Sequence, residues 1–249
     1  VPDGKNKIPD PPPPEAWERA RVLTPAACER EPGLISDGGG LPFTPAAAFS
    51  PASTLDPNDP AVSALLVQIE RGRVLAQPTR LFRPKAKPPD METSALLAGW
   101  RELARSEDEV VYGRGRPPQL LTVAVRRARR RRWEPLGASN SRPLRAVRDG
   151  VRASSWRLDP SFELSPDQSE LRILVTEQTL ASGTSVTERL QTPDLFIDEL
   201  EVLLRVYVSP LQGYVGRAGR RAAPVIVALP EPIAGRRVVD GALYAPPGV

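Results

Sequence analysis

The chain has 249 residues, among them 30 Pro, 18 Gly, one Cys and no His, and a net charge of +4. Without histidine it cannot run Ser-His-Asp or Cys-His catalysis, bind metal through imidazole, or switch on imidazole protonation. Cys28 alone makes no intrachain disulfide, CxxC redox pair or Cys-rich zinc site, and aromatics at 5% rule out a large aromatic core.

Residues 1–90 hold 17 of the prolines, including Pro11 to Pro14, and their charges cancel. Proline at that density forbids long helices and central strands, so an extended polyproline-II arm with short turns is expected over 1–89. Two islands interrupt it. Glu15 to Leu23 has room for two helical turns around Trp17. Asp59-Pro60 reads as an N-cap with proline at the first helical position, ahead of a helix that stops at Gly72. A hairpin turning at Arg71-Gly72 is the alternative for that stretch. Gly38-Gly39-Gly40 reads as a break.

From Asp90 the pattern changes. Leu96, Leu97, Trp100 and Leu103 fall three and four apart, which predicts a helix to about Ser106. Glu107-Asp108-Glu109 then reads as its solvated end. Residues 113–157 carry 13 Arg against Glu134 and Asp149, flanked by neutral and acidic neighbours. Within them lies the dense run Arg126, Arg127, Arg129, Arg130, Arg131 and Arg132, closed by Trp133. Guanidinium forks pair with phosphate or carboxylate and an indole can stack on a base, so this run is the candidate contact with nucleic acid or an acidic partner. The acidic partner is another subunit or the net-negative last third of the same chain. A surface made arginine-rich by a GC-rich coding sequence is the third reading.

The last third reads as the globular body. Strands are expected at Ser161 to Leu164, Glu170 to Leu180, Ser185 to Leu190, Val225 to Leu229 and Arg237 to Tyr244. A turn at Ala181 to Thr184 would join the second and third. Thr192-Pro193 followed by Leu195, Phe196, Leu200, Leu203, Leu204 and Tyr207 predicts a buried helix. On it Asp194, Asp198 and Glu201 would share a solvated face. Gly213, Gly216 and Gly219 form a Gly-rich loop before Arg220-Arg221, a weak phosphate-binding pattern. No P-loop, Rossmann or Gly-x-Ser-x-Gly motif occurs. No apolar stretch approaches the roughly 20 residues of a membrane span, and no signal-peptide h-region opens the chain.

These features predict an α+β fold: a long Pro-rich arm (1–89), a helix with the basic segment (90–157), and a small body of mixed antiparallel sheet and helix (158–249). The expected role is a non-enzymatic structural component of a large assembly, without cofactor. A capsid-associated clamp or decoration protein that wraps neighbouring subunits with the arm is the favoured form. It would sit in a virion or inside the cell, with capsid protein as partner and no membrane. The alternative is a nucleic-acid-binding accessory subunit of a ribonucleoprotein or DNA machine.

Overall fold

A computed structural model describes residues 12–76, 92–128, 132–139, 143–176, 186–210 and 222–244. Four helices occur among them: α1 (Pro14–Glu18), α2 (Pro45–Phe49), α3 (Pro60–Ala76) and α4 (Thr93–Leu97). The first strands are short, β1 (Arg21–Leu23), β2 (Ala26–Ala27) and β3 (Leu34–Ser36). A group of four follows: β4 (Trp100–Arg105), β5 (Glu109–Arg114), β6 (Leu121–Arg127) and β7 (Trp133–Ser139). The rest are β8 (Arg145–Arg148), β9 (Val151–Leu158), β10 (Glu170–Thr176), β11 (Asp194–Ile197), β12 (Glu201–Tyr207), β13 (Ala223–Ala228) and β14 (Arg237–Asp240). The fold is α+β with a mixed sheet. No helix among the described residues is long and apolar enough to cross a membrane.

The chain forms two units, Val1–Pro32 with Ala146–Leu243 and Gly33–Arg145 with Tyr244–Val249. Contacts draw these boundaries, and they do not coincide with the divisions at 89 and 157 that composition suggests.

In the first unit the strand order is β1-β13-β10-β9-β12-β11-β2. β1 pairs parallel to β13 and β2 pairs parallel to β11, yet only Thr24 and Pro25 separate β1 from β2. One segment thus pairs with strands at both ends of the order, through Arg21 to Leu23 on β13 and Ala26–Ala27 on β11. The core is apolar: Leu171, Ile173 and Val175 from β10, Val202, Leu204 and Val206 from β12, Val225 and Val227 from β13, with Leu23 from β1.

The second unit is an antiparallel meander, β4-β5-β6-β7. Its side chains alternate between two cores, as the period of a strand requires. Val110, Tyr112, Val123 and Val125 face Ala61, Val62 and Leu65 of α3. Val111, Leu103 and Ala124 join Ile35, Phe43 and Ala48 in the other core.

Several expectations change. Residues 12–76 form short strands and helices in place of an extended arm, and several of their prolines stand where no backbone N–H is needed. Pro14, Pro45 and Pro60 open α1, α2 and α3, and Pro25 lies where the β1–β2 segment switches from one sheet neighbour to the other. The predicted cap holds at α3, where Asp59 Oδ1 accepts the Ala61 N–H at 2.8 Å, but the helix runs through Gly72 to Ala76.

The helix expected to Ser106 ends at Leu97, since Gly99 takes φ +82° and Trp100 to Arg105 pairs with β5 instead. The helix expected from Pro193 is the β11–β12 hairpin. Asp198 Oδ1 accepts the N–H groups of Leu200 and Glu201, both at 2.8 Å, which folds the turn and holds that carboxyl below its usual range. Val202, Leu204 and Val206 then bury with a period of two, not 3.6. Ser161 to Leu164 is a turn on Asp159, not a strand, and Thr187–Arg189 is a single 3-10 turn. β10 matches the expected strand as far as Thr176, and the rest of that strand and the turn at 181–184 lie outside the described residues.

Candidate functional site

The basic run belongs to the hairpin β6–β7. Arg126 and Arg127 end β6, Trp133 begins β7, and Ala128 N–H donates to Arg132 carbonyl at 2.8 Å across the connection. Arg129 to Arg131 lie outside the described residues. The run is not one uniform surface. Arg126 donates through Nε and a terminal nitrogen to Glu109 Oε2, at 2.9 and 2.6 Å. The Arg127 guanidinium stands 4.0 Å from the exposed Glu107. Arg132 is exposed. Trp133 is half-buried and packs against the core under α3, so its ring is committed to the unit. The hairpin brings Arg126, Arg127 and Arg132 toward one end, with Trp133 paired directly opposite Arg127 on the face that packs under α3 and Arg126 on the opposite face toward Glu109.

Glu109, read from the sequence as part of a solvated helix end, is instead buried at 7% exposure. Its Oε2 receives Arg126, while its Oε1 accepts the Leu41 N–H at 2.7 Å. One carboxylate thus ties the sheet to the segment that lies over it.

The other buried charges act similarly. Arg101, 4% exposed, donates to the carbonyls of Ala47 (3.2 Å), Ala48 and Gly115 (2.7 Å), capping the end of α2. In the first unit Arg205 donates to the carbonyls of Glu29 (2.9 Å) and Arg30, and to Cys28 Sγ at 3.2 Å. Glu201 receives Arg30 at 2.9 Å and Arg237 at 3.2 Å. Burial pushes the Cys28 thiol up, with Arg205 pulling the other way.

Asp194, expected on a helix face, sits on β11 between Arg148 and Tyr207. Arg148 donates to its Oδ1, and the Tyr207 hydroxyl to its Oδ2 at 2.8 Å. The Arg148 guanidinium also lies 4.3 Å from the Tyr207 ring centroid, a cation–π stack. Burial first, then the Asp194 hydrogen bond, raises the Tyr207 hydroxyl above its ordinary range. Arg148 comes from the basic segment and Asp194 from the acidic last third, so that pairing is made within the chain.

One buried carboxylate has a different setting. Asp37, 4% exposed, follows β3 and opens the Gly38-Gly39-Gly40 loop. Its Oδ1 accepts the Gly39 N–H at 2.9 Å and its Oδ2 accepts the Thr122 hydroxyl at 2.5 Å. It borders a pocket of about 280 Å³, walled by Thr122 and Ser139 on the polar side and Val111, Ala124 and Leu136 on the apolar side. The sequence holds no motif for it; a lone acid beside three glycines reads as a loop. Among the described residues no group of three His, Cys, Asp or Glu is placed to hold a metal ion. The glycine loop 213–219 lies outside the described residues.

Comparison of this chain with protein-family models, with curated proteins and with solved structures found no match.

Proposed function

We propose that this protein is a non-enzymatic structural component of a larger protein assembly, and that it meets an acidic surface of a neighbouring subunit through the β6–β7 connection. One observation carries the choice of partner. Trp133, the ring that a nucleic-acid contact would stack on bases, is packed against the core under α3. Among the described residues of the run, Arg127 and Arg132 offer guanidinium, which pairs with carboxylates, while the indole is held by the unit's own core.

The charges inside the units support the structural role. Arg101, Glu109, Arg205, Glu201 and Asp194 each join two segments of the chain. The narrower form of the proposal, a capsid-associated clamp of a virion, rests on the sequence alone. Residues 12–76 serve the chain's own units, so the contact with a neighbour is assigned to the basic connection.

The test is nuclease treatment of the protein isolated in its native complex, followed by cross-linking mass spectrometry. A complex that survives nuclease, with residues 126–133 cross-linked to an acidic protein segment, is the expected result. Release of the protein by nuclease overturns the reading in favour of the nucleic-acid alternative. A protein isolated as a bare monomer overturns the assembly itself. In the surviving complex, replacing Arg129 to Arg132 together with Gln is expected to weaken retention by about tenfold or more, with a steep salt dependence.

A further inference from the structure

We propose that the pocket beside Asp37 binds a primary alkylammonium group, with the Asp37 carboxylate as its counter-ion. This stands apart from the assembly reading and uses none of the basic run.

The argument begins with charge. A carboxylate that leaves water needs a cation or a metal, or a dense set of hydrogen bonds. Asp37 is 4% exposed, and its partners among the described residues are two neutral donors, one backbone N–H and one threonine hydroxyl. An ionised carboxylate offers about four acceptor positions, so two remain. No guanidinium or ammonium among the described residues forms an ion pair with it. Glu109 provides the internal control, since it faces the same glycine loop and takes Arg126 at 2.6 Å.

Geometry and chemistry then choose the ligand. The pocket is about 280 Å³, enough for a short chain of five or six heavy atoms and too small for a nucleotide. Ser139, 7% exposed, lines it on β7, opposite Thr122 in the β6–β7 register, and its hydroxyl is available as an acceptor. An ammonium carries three donors on one compact centre and engages one Asp37 oxygen together with Ser139 Oγ. A guanidinium is a poorer fit, because it carries five donors where the two open positions on Asp37 and the Ser139 hydroxyl accept three, the number an ammonium has. A divalent cation is a poorer fit too, for Asp37 is the single carboxylate lining the pocket. Val111, Ala124 and the half-exposed Leu136 supply an apolar wall for the alkyl stem.

The loop is built to leave this space. A Cβ on Gly40 would stand 2.7 Å from Ala124 Cβ and 2.8 Å from Val111 Cγ2, whereas glycine lets the loop close down on the sheet. Gly38 takes φ +85°, where a side chain is strained.

The ammonium has two chemical sources, a free small amine or the side chain of a lysine on a peptide. The experiment is isothermal titration of the full chain at pH 7 with n-pentylammonium chloride, with 1-pentanol as the uncharged match and N-acetyl-lysine methylamide as the peptide mimic. The expected result is saturable n-pentylammonium binding with Kd on the order of 1 mM and none for 1-pentanol. Asp37→Asn is expected to weaken it about tenfold or more, and Ser139→Ala by about threefold. Comparable or tighter binding of the lysine mimic assigns the pocket to a protein side chain; binding of pentylammonium alone assigns it to a free amine. Absence of saturable binding to the wild-type protein overturns the proposal. So does equal binding of 1-pentanol, or an Asp37→Asn variant that binds as the wild type does. Should Asp37→Asn fail to fold, unchanged binding by Ser139→Ala overturns it instead.

Discussion

Glu109 and Asp37 are both buried acids against the same glycine-rich segment of the second unit, and the chain treats them differently. Glu109 is answered from within, by Arg126 on the neighbouring strand and by the Leu41 N–H. Among the described residues Asp37 receives only neutral donors, and it opens on a pocket. A buried charge that is paired holds segments together, while one left without a cation is a place for something else to bind. Asp194 in the first unit repeats the Glu109 arrangement with Arg148 and Tyr207.

The comparison breaks most easily at Gly40, between the two acids. A methyl there meets Ala124, Val111 and Glu109 Oε1 all below 3.0 Å. Gly40→Ala is expected to cost about 3 kcal/mol in urea unfolding and to abolish alkylammonium binding with it. A cost below about 0.5 kcal/mol would mean that the loop does not lie down on the sheet as described.

A smaller effect sharpens the comparison from the first unit. Removing the Tyr207 hydroxyl with Phe deprives Asp194 of one donor and is expected to cost about 1.5 kcal/mol at pH 7. The sign of its pH dependence follows from the raised hydroxyl. Folding favours the protonated phenol, so the contribution is complete below the unfolded value near 10 and is lost as pH rises past it. Urea midpoints at pH 7 and about 10.5 should therefore converge for wild type and Tyr207→Phe. A gap that stays constant with pH contradicts the raised Tyr207 hydroxyl.

How much of this the sequence disclosed depends on the length and range of each signal. The α3 start was legible because Asp59-Pro60 is a local pattern, and β13 because Val225 to Val227 is a continuous β-branched run. The Asp149-Gly150 turn of β8–β9, with φ +50° and +74°, is an equally local signal, since Asp-Gly between two short strands marks a tight hairpin. The β1–β2 segment was illegible: its strands are three and two residues long, too short to show a period, and their partners lie far along the chain. Leu195 to Tyr207 misled, since its apolar residues satisfy helical spacing while the buried ones also alternate. Of the candidate site, the Arg run was legible as composition, but the commitment of Trp133 and Arg126 was not, because both are fixed by tertiary neighbours. Asp37 gave no signal at all; only the fold brings Thr122 and Ser139 to it.

The most direct test of the difference between the two acids needs no ligand. Arg126→Gln leaves Glu109 as Asp37 is, buried without a cation, while Asp37→Asn removes the unanswered charge. In parallel urea unfolding at pH 7, Arg126→Gln is predicted to lose about 2 kcal/mol and Asp37→Asn to stay within about 0.5 kcal/mol of the wild type or gain stability. Asp37→Asn losing as much as Arg126→Gln would contradict the account, showing that the chain already answers the charge on Asp37.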